Sequence, residues 1–510
     1  MSILKFLPVA GLAGLSFLLA RLLHIVVRWW LRRRYLKQRV PEPCKPHWIR
    51  GHMVADDRLA RNAYIAYARK LPRMMLQQIG PFISSVTVSH PDTIAQVMKT
   101  NPPKNELALK LAKTWLGNGL VLTQGKRWER DHRLLSKAFS IEMRREYMRA
   151  FKEATSITLD IWEELQAGTS VNIAEFLPIL TFDIILRCAM GAETTCQTDS
   201  DPRTPARRYG AATKEISEII YDRYKKPWFY FDFIFLNSAT GARFKNLLAE
   251  THEFSDRLIS KRRALLEQGE DNEGMTSQFD EKRHRDMLDV LLTVRDEDGV
   301  GYSDTDIREH VDTFLFAGHD TTSSGLEWAI HYLCHNKPVQ ERCRREVMDV
   351  LEKCGGLDNF AHEHLAELQY LSQTIQETLR IASIAPMSLK SSNKASQVDS
   401  VQLPAGTDYQ INIIGVHHNE QVWTDPDTFN PDRFSPDQSS TRSSYAFIPF
   451  SCGPRACIGK HFAMDEMKVI LSMILSRFHL LPDPDAPETQ STMAIIVKPD
   501  PSVRVLLEVV

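Results

Sequence analysis

Apolar residues crowd the start of the chain. Phe6 to Ala20 is almost wholly apolar, and Leu22 to Val27 continues the run apart from His24. Arg28, Arg32, Arg33, Arg34, Lys37 and Arg39 follow directly. A bilayer core takes about 20 residues of helix, so residues 1–40 are expected to form a single-pass anchor with a basic flank. Arg21 and His24 lie toward one end of the run, where long side chains reach the interface. The positive flank is expected to stay cytosolic and to hold the rest of the chain there. The alternative is a cleaved signal peptide; against it, the basic residues follow the apolar run and no small-x-small site stands out. Pro41, Pro43 and Pro46 mark a linker over residues 41–50.

Beyond the linker the periodicity is mostly helical. Asp56 to Gly80 reads as helix, and Phe82 to Ser89 alternates as a strand does. Pro91 to Ile259 reads as successive helices with short polar breaks, and Glu267 to Arg285 as an exposed, charged loop. The longest helical pattern runs from Ser303 to His335, with Ser303 and Asp306 as its cap signature. At about 1.5 Å per residue it spans about 50 Å, enough to cross a domain. Leu403 to Val416 mixes turn residues with strand formers, and Lys460 opens another helical pattern. The expected fold is mainly α with minor β near the two ends. No composition break divides residues 51–510, which are expected to form one domain.

Composition narrows the function classes. Of 510 residues 43% are hydrophobic, enough for a large core. Lys and Arg number 63 against 64 Asp and Glu, so no global field draws nucleic acid, and no nucleic-acid partner is expected. The eight cysteines (Cys44, Cys188, Cys196, Cys334, Cys343, Cys354, Cys452, Cys457) show no disulfide framework, which fits a reducing, cytosol-facing compartment.

The rarest pattern is Phe450-Ser-Cys-Gly-Pro-Arg455-Ala-Cys457-Ile-Gly459. Gly453 and Gly459 permit turns that a Cβ resists, Pro454 stiffens the loop, and Arg455 sets a positive charge near Cys457 that favours thiolate. The helix after Gly459 adds its dipole. A lone thiolate on a rigid loop suits one axial bond to a haem iron. Two blander readings stand beside this. Free cysteines are commonly small buried hydrophobes, and Cys452 with Cys457 is half of a zinc site, for which no second pair exists at ligand spacing. The long helix carries Ala317-Gly-His-Asp320-Thr321-Thr322, polar residues unfavourable inside a helix; Asp320 and Thr321 together form an acid–alcohol proton relay. Glu377 and Arg380 share a helix face, and Arg433 lies downstream in Phe429-Asn-Pro-Asp-Arg433-Phe434.

The cysteine loop matches the haem-binding loop of the cytochrome P-450 superfamily at every fixed position, and the chain resembles that superfamily over nearly its whole length after residue 40. Phe314 to Trp328, Ile411 to Asn419 with Val422-Trp423, and Phe447-Ile-Pro-Phe450 look like the family-4 branch. The resemblance implies the P-450 fold, with haem between the long central helix and the cysteine loop. It implies haem b on an axial Cys457 thiolate, Cys457 also being the metal ligand. Arg455, Phe450, Trp128, His132, Arg133 and Lys390 would contact the cofactor. His132 stands where an Arg is usual, so Arg133 or Arg130 is the alternative. Asp320 and Thr321 would be catalytic, Phe316, Ala317 and Met387 would face substrate, and Glu377, Arg380 and Arg433 would form a structural triad.

The implied activity is a monooxygenase that hydroxylates a hydrophobic, fatty-acid-like or lipid substrate with O2. Its electrons would come from NADPH-cytochrome P-450 reductase, with cytochrome b5 as a possible second donor, since no nucleotide-binding Gly-rich motif occurs in the chain. The expected location is the endoplasmic reticulum membrane. Two other enzyme readings are a haem-thiolate isomerase or dehydratase acting on a lipid peroxide, which Thr321 disfavours, and a monooxygenase of a specialised metabolite. A non-catalytic haem or lipid binder ranks last. Three departures matter. Ala317 replaces the Glu that many family-4 enzymes ester-link to haem, so ester linkage is not expected; the usual Pro-Pro after Arg380 is absent; and Lys390 replaces an Arg, a point charge for a planar fork. The aromatic run Trp228 to Leu236 is open between a bilayer-dipping segment and a helix packed over the pocket.

Overall fold

The computed structural model describes residues 6–166, 168–192, 194–199, 201–271, 286–295 and 299–510. The central helix, Asp304–His335, organises the molecule. Ser303 and Asp306 close a reciprocal capping box at its start, as the sequence predicts. Its middle is buried on nearly every side, from Val311 to Phe316 and again from Thr322 to Ile330. The helix Leu177–Met190 crosses it at Gly318. A Cβ there would stand 2.7 Å from Ile185 Cδ1, so the crossing needs a glycine for space. The C-terminal helix Lys460–Arg477 packs on the central helix from below, with Met467 Sδ 3.2 Å from where a Cβ on Gly325 would sit.

Four strands form the main sheet in the order Met74–Ile79, Ile83–Val88, Asp408–Asn412, Met387–Ser391. The first pair is an antiparallel hairpin turning at Gly80, whose φ is +59°. Ile83–Val88 runs parallel to Asp408–Asn412, and Lys390 pairs with Tyr409 on the far edge. A second sheet joins Ser170–Asn172 and Phe478–Pro482 through Arg504–Val509. The fold is mainly α with minor β, as expected.

The Glu377 triad forms. Arg380 donates from Nε and Nη2 to the Glu377 carboxylate at 2.7 Å each, and Arg433 Nε lies 3.3 Å from Glu377. Glu377 and Arg380 are fully buried. Arg380 also donates to the carbonyls of His417 and Pro426 at 2.7 Å. Such a buried pair is held together by its further bonds, and here they lock the segment leading into the cysteine loop.

Pro205–Lys225 and Ala239–Asp271 pack side by side, the second also on the central helix, and are joined by Pro227–Tyr230 and the short helix Asp232–Leu236. The buried Arg223 pairs with Asp232 and lies 4.2 Å from the Phe235 ring. Lys110 sits 3.4 Å from the same Asp232, and Lys225 holds Asp57 at 2.6 Å.

Several expectations change. The helix from Asp57 ends at Lys70, and Met74–Ile79 is a strand. Pro72 stops the helix, and hairpin pairing claims residues whose spacing fits a helix equally well. The predicted loop from Glu267 begins in helix, which continues to Asp271; residues 272–285 lie outside the described part. Helix runs from Phe6 to Lys37, yet among the described residues no helix is long and apolar enough to cross a membrane. The single-pass expectation gains no support from this; the side chains of residues 6–19 lie outside the described part, and the arginines and His24 fill much of the remainder.

Candidate active site

A cavity of about 450 Å³ lies between the central helix and the cysteine loop. The loop is held by its own backbone: Cys457 N–H donates to Phe450 O at 2.9 Å, and Ala456 N–H to Gly453 O at 3.0 Å. Gly453 has φ +74°, which favours glycine, and only the flexible end of Met98 lies near where a Cβ would sit. Gly459 differs from expectation. Its φ of −86° suits any residue, and its role is to start the helix beneath the sulfur.

Cys457 exposes its surface to this cavity. Dense packing around it pushes the thiol up, while the Gly459 backbone N–H, Lys104 and Lys460 pull it down. Arg455 does not do this work, contrary to the sequence reading. Its guanidinium turns away, donates to Thr123 O at 2.7 Å and covers the Trp128 ring at 4.3 Å.

Cationic groups gather along one end. Lys104, His132, Lys390 and Arg455 line the cavity together with Trp128 and Phe450, and no carboxylate lines it among the described residues. Burial, and then the charges of Arg455 and Lys390, push Lys104 down to about 7. Lys390 is lowered for the same first reason, with Arg455 second, and burial takes Arg455 to about 10. His132 is lowered by burial and Arg455. Buried like charges without a counter-charge are unfavourable, so the cluster is built for an anion. Arg133 is exposed and does not line the cavity.

Sequence reasoning missed Lys104. It reaches the site because Lys104 and Lys390 are opposed in an isolated β-bridge, and Asn105 N–H donates to Leu389 O. Its Nζ donates to Val121 O at 2.5 Å. The one local signal was Pro103 and Asn105 around it, since Asn105 caps the helix Glu106–Leu116.

The opposite wall is the central helix, through Ala317, Gly318, Thr321 and Thr322. Thr321 Oγ1 donates to Ala317 O at 2.9 Å. Asp320 turns away from the cavity, and Lys498 Nζ holds its carboxylate at 2.5 Å. Phe316 does not line the cavity; it packs on Trp115 with ring centroids 4.4 Å apart. Phe314, Ile384 and Ile495 take its place, with Met387 as expected. Among the described residues no group of three His, Cys, Asp or Glu side chains forms a metal site, so the zinc reading of Cys452 and Cys457 gains nothing.

The set fits haem. Cys457 would hold its iron, Lys104, His132, Lys390 and Arg455 its carboxylates, and the apolar lining its ring. A family model described as cytochrome P-450 matches residues 41–507. Cytochrome P-450 4F1 of Rattus norvegicus is 34% identical over 493 residues, 95% of this chain and 92% of that protein. Leukotriene-B4 omega-hydroxylase 3 of Mus musculus is 34% identical over the same shares, and cytochrome P-450 4X1 of Homo sapiens is 35% identical over 93% of this chain and 92% of its own length.

Proposed function

The chain belongs to the cytochrome P-450 family and is a monooxygenase, and from this we propose that it hydroxylates a fatty-acid-like lipid. The observation that carries the reading is the cavity itself: Cys457 on one face, Ala317 to Thr322 on the other, apolar side chains beyond them and cations at one end only. When bound, haem would supply the activation of O2 and the oxidation of an unactivated C–H bond. Cys457 would hold its iron. Lys104, Lys390, Arg455, His132 and Trp128 would hold its carboxylates. Ala317 offers no carboxylate, so this haem b would be held without an ester bond.

The remaining work falls to side chains. Phe314, Ile384, Met387 and Ile495 orient an aliphatic chain and exclude water from it. Asp320 gathers protons at the outer face of the helix, beside Lys498, which is one-third exposed. To deliver one, the Asp320 carboxyl releases Lys498 and Thr321 Oγ1 releases Ala317 O, after which the hydroxyl can pass the proton inward. Electrons would come from an NADPH-dependent reductase.

The relative named a leukotriene-B4 omega-hydroxylase supports a lipid substrate. We place the protein at a membrane through surface aromatics. Phe231 and Phe233 are 66% and 81% exposed, and Trp228 and Ile234 are exposed beside them, while Phe235 is buried. The outward aromatics support the bilayer-dipping reading of this run. The test is direct. The reduced carbon-monoxide complex of purified protein should show the red-shifted Soret band of thiolate ligation, and with reductase it should hydroxylate members of a fatty-acid and eicosanoid panel. Absence of that band overturns the reading.

A further inference from the structure

The segment 117–124, which follows the helix Glu106–Leu116, lines two cavities. Leu120 and Val121 line the active-site cavity. Leu122, Thr123 and Gln124 line a second pocket of about 320 Å³ that shares no residue with the first, and no role described so far uses it. This pocket is polar and positive. Lys113 and Arg127 line it with Asn118, and no carboxylate does among the described residues. Arg127 is partly neutralised, with Nη2 2.6 Å from Asp306 and 3.8 Å from Glu309 and Nε 3.6 Å from Asp131. Lys113 is exposed, and its ammonium has no ion pair or hydrogen bond among the described residues. Gln124 is the N-cap of the 11-residue helix Gly125–Leu135, and its side chain caps nothing. The first N–H groups of that helix therefore have no side-chain acceptor at the cap. Thr123 is 5% exposed, yet its hydroxyl has no hydrogen-bond partner.

A buried hydroxyl without a partner is unfavourable until something supplies one. A free ammonium and an uncapped helix start both favour negative charge. These donors sit on three separate stretches of chain, which a tetrahedral group with oxygens on every side meets better than a flat carboxylate. We propose that the pocket binds a phosphate group, with Lys113 and the start of the helix Gly125–Leu135 holding its charge and Thr123 Oγ1 donating to one oxygen. The site has a consequence for the active-site cavity. Thr123 O accepts from Arg455 at 2.7 Å and Val121 O from Lys104 at 2.5 Å, so the same segment supports two of the cations assigned to the haem carboxylates. A phosphate seated on Thr123 fixes that backbone and slows the loss of haem. This consequence rests on the haem reading; the binding itself does not.

The test uses the full-chain holoenzyme at constant ionic strength, with inorganic phosphate as probe. Two quantities are read: the melting temperature, and the rate of haem transfer to an acceptor globin. Saturating phosphate should raise the first and slow the second about threefold, while acetate at the same ionic strength should do neither. Lys113→Met should raise the phosphate concentration needed for half the effect about tenfold. Thr123→Val should melt no lower than the parent without phosphate, because it removes only an unpartnered hydroxyl, and should gain less from phosphate. Glycerol 3-phosphate and vesicles of phosphatidic acid in phosphatidylcholine separate the sources. A response to the first at lower concentration supports a soluble phosphate monoester, and a response to the second supports a lipid headgroup. No response to any of the three, or a response that Lys113→Met leaves intact, overturns the proposal. Should Thr123→Val not fold, the exposed Lys113→Met decides alone. A normal thiolate band with no phosphate response sinks only this site; a missing band sinks the monooxygenase reading and leaves the melting curves to judge the site.

Discussion

A thiolate at Cys457 depends on its surroundings, and those surroundings are only half legible in the chain. The loop spacing and Gly453 are visible at once, because backbone turns impose them. The charges that favour the anion are not: Arg455, two residues away in sequence, turns to Trp128, while Lys104, more than three hundred residues away, arrives through a strand contact. Lys104→Met should weaken haem retention about tenfold, since a charge-assisted bond is worth about 1.5–3 kcal/mol; the check is the rate of haem transfer to an acceptor globin. Arg133→Met, an exposed site outside the cavity, should leave that rate unchanged. At Ala317 the outcome is chemical. Denaturing chromatography should release unmodified haem, and protein-linked haem would show that some other side chain forms the bond.

Among the elements, the central helix was read correctly down to its capping box because cap and periodicity agree. The strand Met74–Ile79 was not, because a six-residue apolar run fits either state until a partner is found. Gly318 shows how tightly the helices cross. Gly318→Val should cost about 1–3 kcal/mol by overpacking against Ile185, seen as a lower melting temperature. The same helix carries Asp312, 1% exposed, bonded to Ser255 on the helix Ala239–Asp271 at 2.5 Å with His252 3.6 Å away. Burial lifts Asp312 to about 7. The folded state therefore binds the proton more tightly than the unfolded chain, and this contribution to stability is complete near pH 4 and lost as pH rises through 7. Melting curves from pH 5 to 8 should show Asp312→Asn gaining on the parent as pH rises, by at most a few kcal/mol; parallel curves would remove Asp312 from the account.

Across the whole molecule, the exposed aromatics gather near the hairpin. Trp29 meets Phe82 edge-on at 5.8 Å, and a Cβ on Gly80 would lie 2.7 Å from Pro227, where the Trp228 segment begins. Burying one Phe in an apolar phase is worth about 2 kcal/mol, so Phe231→Asp with Phe233→Asp should weaken binding of the full chain to phosphatidylcholine vesicles by more than tenfold, measured by flotation. The sequence showed this run but not its division into outward and inward faces, which arises from the Arg223–Asp232 pair turning Phe235 inside. Lys110 and Lys225 also tie this segment to the helices Glu106–Leu116 and Asp57–Lys70 with opposite charges rather than grease. Ionic clasps loosen in brine. Uptake of a long-chain ligand should thus quicken as sodium chloride is raised, the reverse of what electrostatic steering of an anionic ligand would give.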